Sequence, residues 1–315
     1  MREDAPAPFF EETRTKHSMT TSTSSHPRVA VVGSVNIDLV VNVDEHVRPG
    51  ETILATGYAE TIGGKGFNQA VAAARDAESH LVGAVGNDPF GDRALEQASG
   101  RGVVVTAMSR TDTPTGRAFI DVNRRGENSI VVAPLANHTL TPERVTETLD
   151  RIRPAAVLTQ LEIPIESVLA AARWCAANDG RFLLNPSPVA EVPVECLRAA
   201  DPLIVNEVEA ADMLAQLDPG HRVATSDSAA VAKALAGFVP SVVVTLGERG
   251  SVFASPSGAG HVPVAPVAVV DTTGAGDEFA GTLMAALAGG SSLEAAVEQA
   301  GRAASALVGR GRSER

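Results

Sequence analysis

D-T-T-G-A-G-D-E-F-A-G, residues 271–281, is the stretch that decides the fold of this chain. The apolar run before it, 267–271, predicts a strand, and the residues after the glycines predict a helix. Gly274, Ala275 and Gly276 would leave backbone N–H groups open at the helix start, where they and the helix dipole attract anions. Asp277 would stand beside such a site and could accept a proton from a hydroxyl. A plain turn with Asp277 as a helix cap is the alternative.

A second glycine cluster is I-G-G-K-G-F-N-Q-A, residues 62–70. It is not a phosphate-binding P-loop, because Ala59 and Gly66 stand where that motif needs glycine and Ser or Thr. No GxGxxG is completed, which excludes the usual dinucleotide fingerprint. The glycines around Lys65 let a ligand approach the backbone, and Asn68 adds a donor and an acceptor. A tight turn with a solvated lysine is the alternative.

A third candidate is G-S-V-N-I-D, residues 33–38. Asn36 and Asp38 are two residues apart and share one face if the segment is extended. An amide beside a carboxylate suits the neighbouring hydroxyls of a sugar. Spacing alone favours the simpler alternative, in which Asn36 and Asp38 are polar residues on the solvent-exposed face of an edge strand.

Around these motifs the chain alternates between strand-like and helix-like segments. This alternation predicts a doubly wound, mainly parallel sheet flanked by helices, with ligands beyond the carboxyl ends of the strands. The predicted strands are 28–34, 36–43, 51–62, 81–86, 155–161, 181–186, 202–206, 241–247 and 267–271. The predicted helices are one from Asn68, 92–98 and 166–177.

One region departs from the alternation and predicts a small β-sheet lid. Residues 113–133 have the pattern of a hairpin with its turn near 125–127, and they could pair with residues 36–62 over a cleft. We therefore expect one domain over 28–315 that includes this lid. Residues 1–27 combine charge, proline and a Ser/Thr run, which predicts a disordered tail; Met19 could be the natural start.

Composition excludes several classes of function. Of 315 residues, 26 are Lys or Arg and 38 are Asp or Glu, which gives a net charge of −12 and disfavours nucleic acid as a partner. No run of about 18 apolar residues is present, so we predict no membrane span. Cys175 and Cys196 are too few for a disulfide framework and lack metal-ligand spacing, which favours the reducing cytoplasm.

The two glycine clusters together resemble the signature regions of the ribokinase-like (PfkB) family of sugar kinases. The segments that carry this resemblance are 63–75 and 271–277, and it extends over about 28–308. It also includes G-S-V-N-I-D (33–38), V-G-N-D-P-F-G-D (85–92), T-G-R-A-F-I-D-V (115–122), L-E-I-P (161–164), N-E-V-E (206–209) and V-T-L-G-E-R-G (244–250). Several motifs in the family's order are far more specific than any one of them.

The resemblance implies phosphorylation of D-ribose at its 5-hydroxyl by ATP, with Mg²⁺ and K⁺, in a cytoplasmic homodimer joined through the lid. It also leaves open a kinase of the same fold for deoxyribose, fructose or adenosine, or a catalytically impaired sugar-binding protein. It makes Asp277 the catalytic base beside an anion hole at Gly274, Ala275 and Gly276.

The resemblance assigns further residues by role. The sugar would be held by Asn36, Asp38, Gly64, Lys65, Asn68, Glu162 and Asp277. The nucleotide would be held by Asn206, Thr245, Gly247, Glu248, Gly250 and Gly276. Glu209 would act on Mg²⁺ indirectly, and Asp271 and Thr273 would bind the monovalent cation.

The chain departs from the family pattern at three places. Phe67 stands where alanine is common, and Gly301 falls near the position of a histidine beside the adenine. The sequence ends at G-R-G-R-S-E-R, residues 309–315, where the family continues through a cation-binding loop into another helix. From that ending we expect weaker K⁺ activation and a looser adenine pocket.

Overall fold

The computed structural model describes Met1 and residues 26–310. The predicted tail therefore lies outside the described residues except for Met1, His26 and Pro27. The strands are β1 (Arg28–Val32), β2 (Asn36–Asn42), β3 (Gly57–Gly63), β4 (Glu78–Val82), β5 (Ala84–Gly86), β6 (Ser109–Thr111), β7 (Gly116–Val122), β8 (Asn128–Ala133), β9 (Ala156–Thr159), β10 (Arg181–Leu184), β11 (Ala200–Asn206), β12 (Val242–Thr245), β13 (Ser251–Ser255) and β14 (Gly258–Val262). The helices are α1 (Lys65–Ala73), α2 (Pro89–Gly100), α3 (Pro142–Ile152), α4 (Ile165–Ala177), α5 (Val194–Ala199), α6 (Glu207–Leu217), α7 (Ser228–Leu235), α8 (Ala275–Ala288) and α9 (Leu293–Val308).

An eight-stranded sheet in the order β14-β13-β12-β11-β10-β9-β1-β4 forms the centre of the fold. The six strands from β12 to β4 run parallel, and β13 and β14 add an antiparallel edge. The parallel strands are valine- and leucine-rich because both of their faces are covered. In β1, Ala30 and Val32 enter one hydrophobic cluster, whereas Val29 and Val31 enter the other. The predicted doubly wound sheet is confirmed.

Helices cover the two faces of this sheet unequally. Side chains of α3 to α7 fill one cluster, and those of α1, α2, α8 and α9 fill the other. Within residues 26–310, no helix combines the length and the apolarity needed to cross a membrane. The second face is the one that concerns function, because α1 and α8 pack against each other there.

The predicted small sheet is present and has the order β3-β2-β7-β8. Strands β2 and β7 are parallel, and the outer two strands pair antiparallel to them. The turn between β7 and β8 contains Gly126 at a φ of 78°, a conformation that favours glycine. We call these four strands the small sheet; that it acts as a lid stays a prediction.

Three predicted strands differ from the structure. Residues 267–271 form no strand: the Val270 N–H donates to the Val308 carbonyl at the end of α9 (2.9 Å), so the run lies beside a helix end and Val270 is exposed. The predicted strand 51–62 begins only at Gly57, because residues 51–56 form an exposed loop. The predicted strand 81–86 is split at Gly83, where the backbone passes too close to the Gly33 carbonyl after β1 for a side chain.

The parallel strands deliver polar residues to one edge of the sheet. Ser34 follows β1, Gln160 follows β9 and Asn185 follows β10. Asn206 and Thr245 end β11 and β12, directly opposite each other. Ligands of open α/β sheets bind at this edge, and the predicted site residues lie along it.

Candidate active site

The start of α8 is the centre of the candidate site. Gly274 precedes the helix with a φ of 78°, the left-handed conformation that a side chain would strain. Ala275 donates its N–H to the Thr272 carbonyl at 3.2 Å. Gly276 and Asp277 hold the second and third helical positions, whose N–H groups have no acceptor within a helix. This end of α8 therefore has the geometry and the dipole of an anion site.

Asp277 is buried in the first turn of α8, with 8% of its surface exposed. Its Oδ2 accepts from Asn68 Nδ2 and its Oδ1 from Gln69 Nε2, both at 3.0 Å. Burial raises the pKa of Asp277, while the Lys65 charge and the two amides oppose that rise and the Glu162 charge adds to it. The carboxylate is fixed in orientation and holds a proton more tightly than an ordinary Asp, which suits a general base.

The neighbouring acid, Glu278, has a different partner. It is also buried, but its carboxylate pairs with the Arg75 guanidinium on α1. Asp277 faces the amides of Asn68 and Gln69 instead. Of the two adjacent acids, Asp277 is therefore the one that meets the residues predicted to hold a sugar.

A second carboxylate, Glu162, gathers the predicted sugar residues. Its Oε2 accepts from the Ser34 hydroxyl, from Asn36 Nδ2 (3.4 Å) and from the Lys65 backbone N–H (3.1 Å). Asn137 Nδ2 in turn donates to Asn36 Oδ1 at 2.8 Å. These bonds tie the ends of β1 and β9 to the start of α1.

Close glycine packing brings Asp38 to the same place. A Cβ on Gly63 would stand 2.5 Å from both carboxylate oxygens of Asp38, so only glycine leaves room for that side chain. Gly64 has a φ of 92°, and a Cβ there would lie 2.8 Å from the Asn36 nitrogen. The structure thus brings together the whole predicted sugar set: Asn36, Asp38, Gly64, Lys65, Asn68, Glu162 and Asp277.

A cleft of about 380 Å³ opens from this cluster between the small sheet, α1, α2 and α8. We call it the sheet cleft. Asp38, Asn68, Thr273 and Gly274 line it. Phe67 lines it as well and is otherwise buried in the core, so this departure from the family pattern forms part of the wall. Four arginines complete the rim: Arg75, Arg93, Arg101 and Arg310.

A second cleft, of about 510 Å³, lies on the other side of the α8 start. We call it the helix cleft. Thr272, Ala275 and Gly276 line it where it meets α8. The predicted nucleotide residues Thr245, Gly247, Glu248 and Gly250 line it too. Its remaining walls are mainly apolar: Val264, Ala265, Pro266, Val267, Val269, Phe279, Gly301, Ala304 and Val308. The start of α8 therefore separates two clefts.

Asn206 and Glu209 are held together at the start of α6. The Asn206 side chain accepts from the Glu209 N–H, and the Glu209 carboxylate accepts from the Asn206 N–H, both at 2.9 Å. This capping box stabilises the helix start. Neither residue lines the helix cleft, although Asn206 lies opposite Thr245 in the sheet.

The turn predicted to bind a monovalent cation lies between the two clefts. Asp271 Oδ1 accepts from the Thr273 N–H at 2.8 Å. The Val308 carbonyl accepts from the Asp271 N–H at 3.3 Å, so the end of α9 lies beside this turn. No cluster of three or more His, Cys, Asp or Glu side chains suited to a metal ion occurs in the described part of the chain.

Five polar residues of the site were not predicted from the sequence. Gln160 and Asn185 directly follow β9 and β10, and Ser34 lies two residues after β1; this position was the signal that could have identified them. Gln69 lies inside the second glycine motif next to Asn68. No local sequence pattern identifies Asn137, because it contacts Asn36 from more than one hundred residues away in the sequence.

Comparison with known proteins places the chain among sugar kinases. Residues 26–314 match the profile of the pfkB family carbohydrate kinases. A ribokinase of Bacillus subtilis (strain 168) is 38% identical over 283 residues, which are 89% of this chain and 92% of that protein. The structure of a ribokinase from Thermotoga maritima has a TM-score of 0.82 and 34% identity, covering 90% of this chain and 93% of the other. A ribokinase of Arabidopsis thaliana, solved with ribose and ATP, has a TM-score of 0.78 and 30% identity, covering 90% and 92%.

Proposed function

This chain belongs to the pfkB family of carbohydrate kinases, and from that premise we propose that it is an ATP-dependent ribokinase. It transfers the γ-phosphoryl group of ATP to the 5-hydroxyl of D-ribose and releases ADP. One observation carries the proposal: the start of α8, which holds the anion site and the buried carboxylate of Asp277, separates two clefts. A base and an anion hole between an acceptor and a donor are the parts that phosphoryl transfer needs.

The proposed acceptor site is the inner end of the sheet cleft. Asp38 and Glu162 supply acceptors for sugar hydroxyls, and Asn36 and Asn68 supply amides that both donate and accept. A hydroxyl placed beside Asp277 can pass its proton to the carboxylate as it attacks phosphorus. Lys65 contributes positive charge near the same carboxylate.

Catalysis by these residues rests on positioning and charge. The N–H groups of Gly276 and Asp277 face the place where charge develops on the transferred phosphoryl group. Asp277 holds the attacking hydroxyl in line and takes its proton. Movement of the small sheet over the sheet cleft would exclude the water that otherwise hydrolyses ATP. The small sheet is in this sense the proposed lid.

The proposed ATP site is the helix cleft. Its apolar walls, which include Val264 and Phe279, suit the flat face of adenine. A Cβ on Gly301 would lie 3.0 Å from Val264 Cγ1, so this glycine lets α9 pack closely against the wall. Thr245 and Gly247 lie toward the carboxyl edge of the sheet, where phosphates bind in such folds. Asn206 stands beside Thr245 and completes that edge.

Mg²⁺ is proposed to enter with ATP. The donor set fits this mode, because the described residues offer no all-protein metal cluster and Mg²⁺ is usually held by substrate phosphates, water and one or two carboxylates. Glu209 is the carboxylate proposed to act through water. When bound, the ion neutralises charge on the β- and γ-phosphates.

K⁺ is proposed to bind at the turn that contains Asp271 and Thr273. A carboxylate and a carbonyl are ligands of the hard oxygen type that such a cation prefers. The end of α9 at Val308 lies against the same turn. Titration of KCl against NaCl at constant ionic strength measures the extent of activation.

A homodimer through the small sheet is proposed as the assembled form. Phe119 and Val131 pair with each other on one face of this sheet and are 48% and 67% exposed, whereas Ile130, 51% exposed, lies on the other face. Exposed apolar patches of this kind are typical of interaction sites.

Cys175 and Cys196 are both free thiols, which favours a reducing compartment. We therefore propose that the protein acts in the cytoplasm.

A coupled ADP-release assay with Mg²⁺ tests the proposed function. The acceptors are D-ribose, deoxyribose, fructose and adenosine, each over a range of concentrations. We expect the highest kcat/KM with ribose and little ADP release without a sugar. A preference for another acceptor would reassign the substrate, and no turnover with any of them would contradict a kinase function.

A further inference from the structure

A chain of buried amides contacts Asp277 and lines neither cleft. Gln160 Nε2 donates to Gln69 Oε1 at 2.5 Å, and Gln69 Nε2 donates to Asp277 Oδ1 at 3.0 Å. Gln69 Nε2 also donates to Asn185 Oδ1 at 3.1 Å, and Asn185 Nδ2 donates to the Ile204 carbonyl at 3.0 Å. Both glutamines have no exposed surface. Because its oxygen faces Gln160, Gln69 must present its NH₂ group to Asp277.

The two amides on Asp277 are not equivalent. Asn68 lines the sheet cleft and is part of the proposed sugar site, so an incoming hydroxyl competes for its NH₂ group. Gln69 lies one residue further along α1 and is not in the cleft wall. Its bond to Oδ1 can therefore persist when a sugar is bound, while Oδ2 is left on the side of Asn68 and the cleft.

Close backbone packing makes room for this chain of amides. A Cβ on Gly33 would collide with Gln160 Oε1 and would lie 2.8 Å from the Gly66 Cα. A Cβ on Gly281 would stand 2.7 Å from the Ala72 Cβ, so α8 and α1 could not approach as they do. Gln160 Oε1 has no hydrogen-bond partner in the described structure. An unsatisfied buried oxygen is costly, and Gln160 nevertheless keeps its NH₂ group on Gln69.

We propose that Gln69 is a positioning residue, itself oriented by Gln160, that fixes Asp277 through Oδ1 and leaves Oδ2 to take the proton of the attacking hydroxyl. The proposal rests on the proposed role of Asp277 as the base. Gln69 touches neither the sugar nor the nucleotide in this account. It acts only through the carboxylate.

The proposal has a consequence for the pH dependence of turnover. The charged groups that act on Asp277 are Lys65 from α1 and Glu162 from the loop after β9, and burial raises the pKa of the carboxyl. Without the Gln69 amide, one of the opposing contributions is lost, so the pKa rises further. Because the base must be ionised, the acidic limb of the kcat profile moves to higher pH.

Gln69→Met tests this directly, since methionine keeps the length of the side chain and removes its amide. We expect the acidic limb to move up by about one to two pH units, from the usual strength of a hydrogen bond to a charged group. The kcat on the plateau should fall about 10- to 100-fold because the carboxylate is less well oriented. The KM for ribose should change little.

Gln299→Met is the matched control, because Gln299 donates to the Asp76 carboxylate at the surface and neither residue lines a cleft. It removes the same kind of bond and should leave kcat and its pH profile unchanged. A purely structural role of Gln69 would lower Tm without moving the acidic limb. Tm and calorimetric ribose binding are therefore measured for every variant.

Gln160→Met provides a second test that does not depend on how well Gln69→Met folds. It frees Gln69 from its orienting bond and should move the acidic limb in the same direction by a smaller amount. The wild-type protein is assayed first with ribose: no turnover contradicts the proposed function. Wild-type turnover with an unmoved acidic limb in the folded variants contradicts the role of Gln69 alone.

Discussion

At the scale of single residues, Gly274 and Gly276 at the start of α8 are needed for different physical reasons. Gly274 has a φ of 78°, whereas no heavy atom stands within 4 Å of a Cβ built on Gly276, which lines the helix cleft. The first glycine is required by backbone conformation. The second keeps a space open that the proposed phosphates would occupy.

Gly274→Ala and Gly276→Ala should therefore fail in different ways. Alanine at 274 costs about 1–2 kcal/mol of stability from the left-handed conformation and displaces the anion site. Alanine at 276 should leave Tm nearly unchanged, since alanine favours helices, but should raise the KM for ATP. Thermal unfolding and steady-state kinetics separate the two. Equal losses of Tm would refute the distinction.

Asp38 is the residue whose removal should separate the two substrates. Asp38→Ala leaves sugar hydroxyls without an acceptor in a closed site, so the Kd for ribose should rise by about 100-fold or more. ATP binding should change little. Calorimetry with each ligand measures both effects.

The matched control is Asp121→Ala, on the opposite face of the same small sheet, where Asp121 pairs with His46 at 2.7 Å. It should leave the affinity for both ligands unchanged. Equal weakening of ribose and ATP by Asp38→Ala would mean that Asp38 supports the fold instead of binding the sugar.

At the scale of elements, the alternation of apolar strands and alanine-rich helices predicted the central sheet correctly. The error at 267–271 has a physical reason: a β-branched run before a glycine turn has the local pattern of a strand, but strands need neighbours. Here the Val270 N–H donates to the carbonyl of Val308, the last residue of α9. Whether an apolar run finds a sheet edge depends on the packing of distant elements, which periodicity does not contain.

The small sheet is the element through which we predict that the homodimer assembles. Val131→Glu places a charge on the exposed apolar surface of β8 and should convert a homodimer into a monomer. Val208→Glu is the matched control, since Val208 on α6 is 69% exposed against 67% for Val131. Light scattering at micromolar concentration measures the mass of each protein. A monomeric wild type would contradict assembly through this sheet.

At the scale of the whole molecule, the sheet gathers residues from distant parts of the chain at one edge. The resemblance to the sugar-kinase family allowed the two glycine motifs and Asp277 to be predicted as one site, although the strand expected before Asp277 does not form. It did not allow the amide chain through Gln69 and Gln160 to be predicted. Which amide reaches which carboxylate depends on how closely the backbone segments approach each other, as Gly33 and Gly66 do. The spacing of residues along the sequence does not reveal such an approach.

The buried charge of Asp277 should also affect the stability of the whole molecule. Its pKa in the folded protein lies above the ordinary 3.8, so the folded state binds this proton more tightly than the unfolded chain. The resulting stabilisation is present below the unfolded value and is lost as the pH rises through the folded value. The Tm of the wild type minus that of Asp277→Asn should therefore decrease as the pH rises above about 4. A constant difference in differential scanning calorimetry would contradict a raised pKa.

The most direct test of the central claim is the kcat of Asp277→Asn for ADP release with saturating ribose and ATP. The variant keeps the shape of the site and removes the base, so we predict a loss of about 10²- to 10⁴-fold with ribose binding largely retained. Glu278→Gln, the same change at the neighbouring acid that pairs with Arg75, should keep most of the turnover. Near-wild-type turnover by Asp277→Asn would contradict the assignment of Asp277 as the base between the two clefts.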